Sequence, residues 1–283
     1  MLLIPSRVCI SRAALLACAV VLAAGLIAGC AGGEGFGRAR QTVTDWAREC
    51  GFEAERREAG RFRLLVLRRP GRIAESAVLR VYIEGDGAAW PTRFRPPRDP
   101  TPTRPVALEL AAADTEGSVA YLSRPCQYLD AAELAACAPE YWTSARFSAE
   151  VVDAYQQALD DLVSVSGARR LRLVGYSGGG VLAALLAARR EDVVQLVTVA
   201  APLRVAAWTA HHGLTPLQGL DPDMLDGRWP SAVHFAGDKD DVVPADIVAP
   251  HARRTGARLA VIPGFDHHCC WARDWPRLLE ETR

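Results

Sequence analysis

The chain has 283 residues, half of them hydrophobic, and its 33 basic residues balance its 33 acidic ones. This length fits one catalytic domain better than two, and the hydrophobic share is ample for a buried core. The formal net charge of zero gives no reason to expect nucleic acid as a partner.

The N-terminus has the pattern of an export leader. Arg7 and Arg12 precede the apolar run Ala13–Ala28, which is too short to span a bilayer comfortably and has the length of a signal-peptide core. The run ends in Ile27-Ala28-Gly29-Cys30, which resembles a bacterial lipobox. A general signal peptide that happens to contain a cysteine is the alternative.

The lipobox divides the chain into three predicted parts. These are a lipoprotein signal peptide over residues 1–29, a lipid anchor and Gly-rich tether over residues 30–45, and a folded domain over residues 46–283. The second residue after the cysteine is Gly32 and not Asp, which by resemblance favours the outer membrane. We therefore expect the protein at the cell envelope, attached to the membrane through a lipid on Cys30.

The domain itself shows alternating strand and helix patterns, which predict a mostly parallel sheet with helices on both faces. A Pro-dense stretch over residues 91–105 predicts a surface loop. In chain order, the predicted strands are 62–69, 77–83, 117–122, 171–175, 193–200, 231–236 and 258–262, and the predicted helices are 106–113, 148–165, 180–190 and 271–281.

Export would place the cysteines in an oxidising compartment. Cys126 and Cys137 flank a short segment and are the favoured disulfide pair. Cys269 and Cys270 are adjacent, and a bridge between neighbours is strained and rare. We therefore expect one of them to be a buried thiol and the other to pair elsewhere, with Cys50 as the candidate partner.

The segment Leu171–Gly180, LRLVGYSGGG, carries the strongest chemical signal. Its Gly-x-Ser-x-Gly motif lies between an apolar strand and an Ala/Leu-rich helix, the context in which the serine is a nucleophile. The turn must be so tight that Ser177 adopts a strained backbone and exposes its hydroxyl, and Gly175 and Gly179 avoid collisions there. A Gly-rich turn with an idle serine is the alternative.

From about Phe62 to the C-terminus, the chain resembles a bacterial lipoprotein of the α/β-hydrolase fold. The resemblance rests on the nucleophile motif and on the segments Tyr121–Tyr128 (YLSRPCQY), Tyr141–Thr143 and Arg146-Phe147. Those segments resemble a subgroup of exported proteins of poorly defined function. The resemblance implies an α/β-hydrolase fold with a small cap or none, since only about 30 residues separate the strands ending at Ala200 and beginning at Ser231.

The resemblance also implies the partners of the nucleophile, which follow it in the order acid and then histidine. The segment Gly237–Pro244, GDKDDVVP, resembles the acid loop of the family and places the acid at Asp240, with Asp238 and Asp241 as competitors. In Gly264–His268, GFDHH, the Gly-x-x-His setting selects His267 over His268.

An acyl-transfer site also needs donors for an oxyanion. One is the backbone N–H of Gly178. The other should come from the loop after the strand that ends at Ile83, where Glu84-Gly85 replaces the usual His-Gly of the family and the N–H of Asp86 falls at the donor position. This departure makes the side chain of Glu84 or Asp86 either an extra polar group at the site or a loop stabiliser.

Together these residues predict a serine hydrolase that cleaves an ester, thioester or amide bond of a small or lipid-like substrate through an acyl-enzyme. The alternatives are an envelope acyltransferase with the same triad and a catalytically silent binding lipoprotein. No cofactor is expected. No metal is expected either, because the pairs His211-His212 and His267-His268 lack a further ligand at helical spacing.

Overall fold

The computed structural model describes residues 40–70, 78–88 and 95–282. The predicted signal peptide, Cys30 and the first part of the tether lie outside these residues. In the described ranges, no helix combines the length and the apolar character needed to cross a bilayer.

The described strands are β1 (Glu53–Ala59), β2 (Phe62–Arg69), β3 (Val78–Ile83), β4 (Ser118–Leu122), β5 (Arg170–Tyr176), β6 (Val193–Val199), β7 (Ser231–Gly237) and β8 (Arg258–Ile262). They form one sheet in the order β1-β2-β4-β3-β5-β6-β7-β8. β2 pairs with β1 and β4 in antiparallel fashion, and the other neighbours are parallel. The prediction of a mostly parallel sheet is confirmed.

The described α-helices are α1 (Arg40–Glu49), α2 (Val106–Ala113), α3 (Ala131–Ala135), α4 (Ala149–Ser166), α5 (Gly178–Ala187), α6 (Val205–His211), α7 (Ala245–Thr255) and α8 (Trp271–Glu280). Helices α4, α5 and α7 pack on one face of the sheet, and α1, α2 and α8 pack on the other. Both faces are therefore covered, as predicted.

The central strands explain why the sheet can be buried on both faces. Val81 of β3, Leu173 of β5 and Val197 of β6 are all fully buried, and these strands are nearly continuous apolar runs. The parallel strands all have their carboxyl ends on the same side of the sheet, so the loops after β3, β5, β7 and β8 meet there.

Two elements near the N-terminus were not predicted. Helix α1 begins at Arg40, inside the segment assigned to the tether, and its Val43 and Ala47 are fully buried. The folded domain therefore begins before residue 46. Strand β1 is highly charged and lies at the sheet edge, where Arg56 forms a bidentate ion pair with Glu133 of α3.

Candidate active site

Ser177 lies in a strained turn between β5 and α5. Its φ is +50° and its ψ is −124°, a backbone conformation that residues other than glycine rarely adopt. A Cβ at Gly175 would collide with the backbone of Gly179, and a Cβ at Gly179 would collide with the carbonyl oxygen of Ile83. The glycines therefore permit the close approach that directs the Ser177 side chain away from the sheet.

His267, in the loop after β8, connects Ser177 to a buried carboxylate. Its Nε2 lies 3.1 Å from Oγ of Ser177, and its Nδ1 lies 2.9 Å from Oδ2 of Asp240. The other oxygen of Asp240 accepts hydrogen bonds from the N–H groups of Val242 and Val243, at 3.0 and 2.7 Å. The carboxylate is thus fixed in place, with one oxygen directed at the imidazole.

The two competing carboxylates have other environments. Oδ1 of Asp238 accepts a 2.6 Å hydrogen bond from the N–H of Gly264, so this side chain links the acid loop to the histidine loop. The side chain of Asp241 is exposed. Of the three, the structure brings Asp240 to His267.

His268 is directed to a different neighbour. Its Nδ1 lies 3.2 Å from the hydroxyl of Tyr176, which also donates a hydrogen bond to the carbonyl oxygen of His267. Burial and then the adjacent His267 lower the pKa of His268. His268 therefore packs beside the serine and histidine pair without joining it.

The loop after β3 lies directly against the turn that carries Ser177. A Cβ at Gly85 would lie 3.0 Å from the ring of Tyr176 and 3.4 Å from Cβ of Ser177. In the described part of the chain, no hydrogen bond leaves the N–H of Gly178 or that of Asp86. Both groups can therefore donate to an oxyanion formed at Ser177.

The side chain of Asp86 is held by two buried arginines, which sequence analysis did not link to it. Nη1 of Arg124 lies 2.8 Å from Oδ1, and Nη1 of Arg146 lies 2.6 Å from Oδ2. Burial raises the pKa of the Asp86 carboxyl, but the charges of Arg146 and Arg124 outweigh this and keep the pKa below its ordinary value. We call Arg124 and Arg146 the arginine clamp.

Glu84 precedes this loop and is almost completely buried. Its Oε1 accepts hydrogen bonds from the N–H groups of Gly85 and Ala107, at 2.9 and 3.3 Å. Its Oε2, like the hydroxyls of Tyr121 and Tyr128, is buried without a hydrogen bond of ordinary geometry. Burial raises the pKa of Glu84 to about 7 against the lowering effect of the backbone hydrogen bonds. Of the two roles left open for this residue, the contacts are those of a loop stabiliser.

No protein-family profile matches the chain, and no curated protein matches its sequence. Solved structures do match its fold. An α/β serine hydrolase homologue from Coxiella burnetii is 15% identical, with a TM-score of 0.54 over 81% of this chain and 95% of that one. Est1E from Butyrivibrio proteoclasticus is 14% identical, with a TM-score of 0.55 over 81% and 98%. A lidless α/β serine hydrolase from Xanthomonas campestris is 15% identical, with a TM-score of 0.53 over 82% and 91%.

The chain has the α/β-hydrolase fold. In this fold, the segment between β6 and β7 can form a cap. Here it contains α6 and a short 3₁₀ turn, Pro222–Met224. A groove of about 550 Å³ lies between α6 and the acid loop, and its lining includes Trp208, His212 and Val242. A depression of about 470 Å³ lies elsewhere, at the amino ends of β7 and β8.

The described cysteines form two disulfides. Cys126 bonds to Cys137, the pair that the sequence favoured, with their Cα atoms 5.8 Å apart. Cys269 bonds to Cys270, so the expectation that these neighbours would not bond to each other was wrong. The suggested bridge to Cys50 was also wrong, because Cys50 follows α1 beside β1 and the other two follow β8 at the opposite sheet edge.

The histidine pairs lie in surroundings that do not suit a metal ion. In the described ranges, no group of three or more His, Cys, Asp or Glu side chains is arranged to hold a metal ion. The two histidine pairs instead make local contacts. Nε2 of His212 lies 2.8 Å from the carbonyl oxygen of Val242, and the ring of His211 packs edge-on against that of His212.

Proposed function

We propose that this protein is a serine hydrolase that cleaves an ester bond, or a related thioester or amide bond, through an acyl-enzyme. One observation carries the proposal: a continuous hydrogen-bonded chain runs from Oγ of Ser177 through His267 to Asp240, at a strained turn beside two N–H donors. The solved structures of similar fold include serine hydrolases, which supports the same chemistry.

In the first half of the reaction, Oγ of Ser177 attacks the carbonyl carbon of the substrate while Nε2 of His267 accepts the hydroxyl proton. Asp240 accepts the hydrogen bond of Nδ1–H and stabilises the imidazolium that forms. The N–H groups of Gly178 and Asp86 donate to the oxyanion of the tetrahedral intermediate.

The second half releases both products. His267 gives its proton to the leaving group, which departs and leaves the acyl group bonded to Ser177. Water then attacks the acyl carbon, His267 accepts a proton from it, and the acid is released as Ser177 regains its proton. The groove beside Trp208 and Val242 adjoins the loop that carries Asp240, which makes it a candidate site for the acyl or alcohol part of the substrate.

The test uses the purified mature domain with a fluorophosphonate probe and a short-chain p-nitrophenyl ester. Ser177→Ala should lose probe labelling, and its kcat should fall by roughly 10⁴-fold or more. His267→Ala should match it to within about tenfold, because members of a triad act as a unit. His268→Ala is the matched control and should keep most of the activity. Wild-type turnover in Ser177→Ala would refute the proposal.

We further propose that the enzyme works at the cell envelope, anchored through a lipid on Cys30. The signal-like run that ends in Ile27-Ala28-Gly29-Cys30 supports this location. Cys30→Ser should abolish incorporation of labelled palmitate and move the protein out of the membrane fraction. A Cys30→Ser variant that stays in the membrane fraction and is processed as before would contradict the anchor.

A further inference from the structure

The arginine clamp holds the residue whose N–H completes the oxyanion site. Each of its guanidinium groups contacts one oxygen of Asp86, at 2.8 and 2.6 Å. With both oxygens held, rotation of the carboxylate is restricted, and the backbone of the loop is restricted with it. The direction of the Asp86 N–H therefore depends on both arginines.

The clamp is itself rigidly supported. Arg124 donates from Nη2 to the carbonyl oxygen of Arg146, and Nε of Arg146 donates to the carbonyl oxygen of Thr143, at 2.8 and 2.7 Å. The guanidinium of Arg124 also lies over the ring of Phe147, 5.4 Å from its centre. The two arginines are thus fixed to each other as well as to Asp86.

A covalent link joins the clamp segments to each other, and polar links join them to the oxyanion loop. The disulfide between Cys126 and Cys137 joins the segment that carries Arg124 to the one that leads to Arg146. Gln127 donates to the carbonyl oxygen of Gly85 and accepts from the N–H of Arg124. The motifs YLSRPCQY and YWT…RF therefore converge on the loop that contains Asp86.

The charge of the cluster also bears on the reaction. The carboxylate of Asp86 lies so close to Gly178 that a Cβ there would collide with Oδ1. Without neutralisation, this negative charge would oppose an oxyanion bound by the N–H of Gly178. The two guanidinium groups and the one carboxylate together carry a net charge of +1. This positive charge attracts the negative charge that develops on the oxyanion.

We propose that Arg124 and Arg146 are positioning residues for the transition state: through Asp86 they orient the second oxyanion donor, and they reverse the sign of the charge beside it. This inference rests on the proposed serine-hydrolase function. It assigns the clamp no contact with the substrate, so its effect should fall on kcat and leave the binding of the ground state nearly unchanged.

Arg146→Gln tests the proposal, with Arg80→Gln as the matched control. Arg80 is also mostly buried and ion-paired, to Asp114 at 3.0 Å, but it lies near the amino end of β3, away from the nucleophile. Both variants lose one positive charge and break a partly buried ion pair, and Arg80→Gln also removes a pair with the more exposed Glu116 at 2.8 Å. A difference between them therefore reports the location of the charge and not its loss alone.

Three quantities are measured on folded protein: kcat and KM for a p-nitrophenyl ester, and Ki for an alkyl trifluoromethyl ketone. The hydroxyl of Ser177 adds to the carbonyl carbon of this ketone and forms a tetrahedral oxyanion. Arg146→Gln should lower kcat by about 10- to 100-fold, less than outright loss of a donor, and should raise Ki by the same factor. Its KM should change by less than about threefold. Arg80→Gln should leave kcat and Ki within about threefold of the wild type.

Arg146→Lys keeps the test decisive if the glutamine variant does not fold. This variant retains the positive charge but loses the planar guanidinium group and its fixed hydrogen-bond geometry. Its kcat and Ki should therefore lie between those of the wild type and of the glutamine variant. Equal Ki values for the wild type and the Arg146 variants would overturn the proposal, as would a rise confined to KM. A wild-type protein that neither turns over the ester nor reacts with a fluorophosphonate would instead refute the serine-hydrolase function and this inference with it.

Discussion

Glu84→Gln should make the protein more stable at neutral and alkaline pH, with little effect at acidic pH. The carboxyl of Glu84 is buried, and its pKa is about 7 in the folded protein compared with an ordinary value of 4.5. The folded state therefore holds the proton more tightly than the unfolded state does. A glutamine has nearly the same shape and can still accept the hydrogen bonds from the N–H groups of Gly85 and Ala107.

The sign and size follow from proton linkage. For an acid whose pKa is raised on folding, stability is complete below the unfolded pKa and is lost as the pH rises through the folded pKa. The shift between 4.5 and about 7 in Glu84 corresponds to about 3 kcal/mol at high pH. Between pH 5 and pH 8, the stability of Glu84→Gln relative to the wild type should therefore rise by about 2.5 kcal/mol.

The assay is urea unfolding of the wild type and the variant at a series of pH values, with the disulfides intact. Glu133→Gln serves as the control, because hydrogen bonds from Arg56 and from the backbone lower the pKa of Glu133 to about 2. Glu133 is already ionised in both states above pH 5, so that variant should differ from the wild type by a nearly constant amount. A difference for Glu84→Gln that does not change with pH would refute the assigned environment of Glu84.

Three further predictions concern the nucleophile turn, the acid and the disulfide. In steady-state ester hydrolysis, Asp240→Asn should lower kcat by roughly 10³- to 10⁴-fold, and Asp238→Asn should lower it by less than about tenfold. The reverse order would show that Asp238 is the acid of the triad. Replacing Cys126 and Cys137 together by serine should cost about 2–3 kcal/mol in urea unfolding, and an unchanged midpoint would show that the bridge does not stabilise the fold. Ser177→Gly should be about 1 kcal/mol more stable than Ser177→Ala, because glycine adopts a positive φ with less strain; equal stabilities would argue against a strained turn.

The elements that sequence analysis located are those with strong local patterns. Strands β2 and β8 have the predicted bounds, since apolar runs bounded by turn residues are a local signal. The nucleophile turn was predicted because its glycines and its strand and helix context are contiguous in the chain. The loops that carry Asp240 and His267 were selected by resemblance. Each follows a strand whose carboxyl end lies on the same side of the sheet as that of β5.

Elements with weak or charged patterns were missed for physical reasons. Strand β1 has no alternation of apolar and polar residues, because it is an edge strand whose charged side chains are satisfied by ion pairs such as that of Arg56 with Glu133. Helix α1 is polar overall and buries only a narrow stripe that includes Val43 and Ala47. Helix α7 contains Pro250, which argues against a helix in a sequence taken alone.

The arginine clamp illustrates what no local pattern could supply. Arg124 and Arg146 stand 38 and 60 positions from Asp86 in the chain, and an isolated arginine or aspartate predicts an exposed side chain. Burial of two arginines is tolerable only where a carboxylate and carbonyl oxygens accept their hydrogen bonds. The fold provides these acceptors for Arg124 and Arg146 at the loop that carries Asp86 and in the backbone of the arginine segments themselves. Asp86 is therefore tied to both distant arginine segments, and loss of one partner would leave the remaining buried charges less well paired.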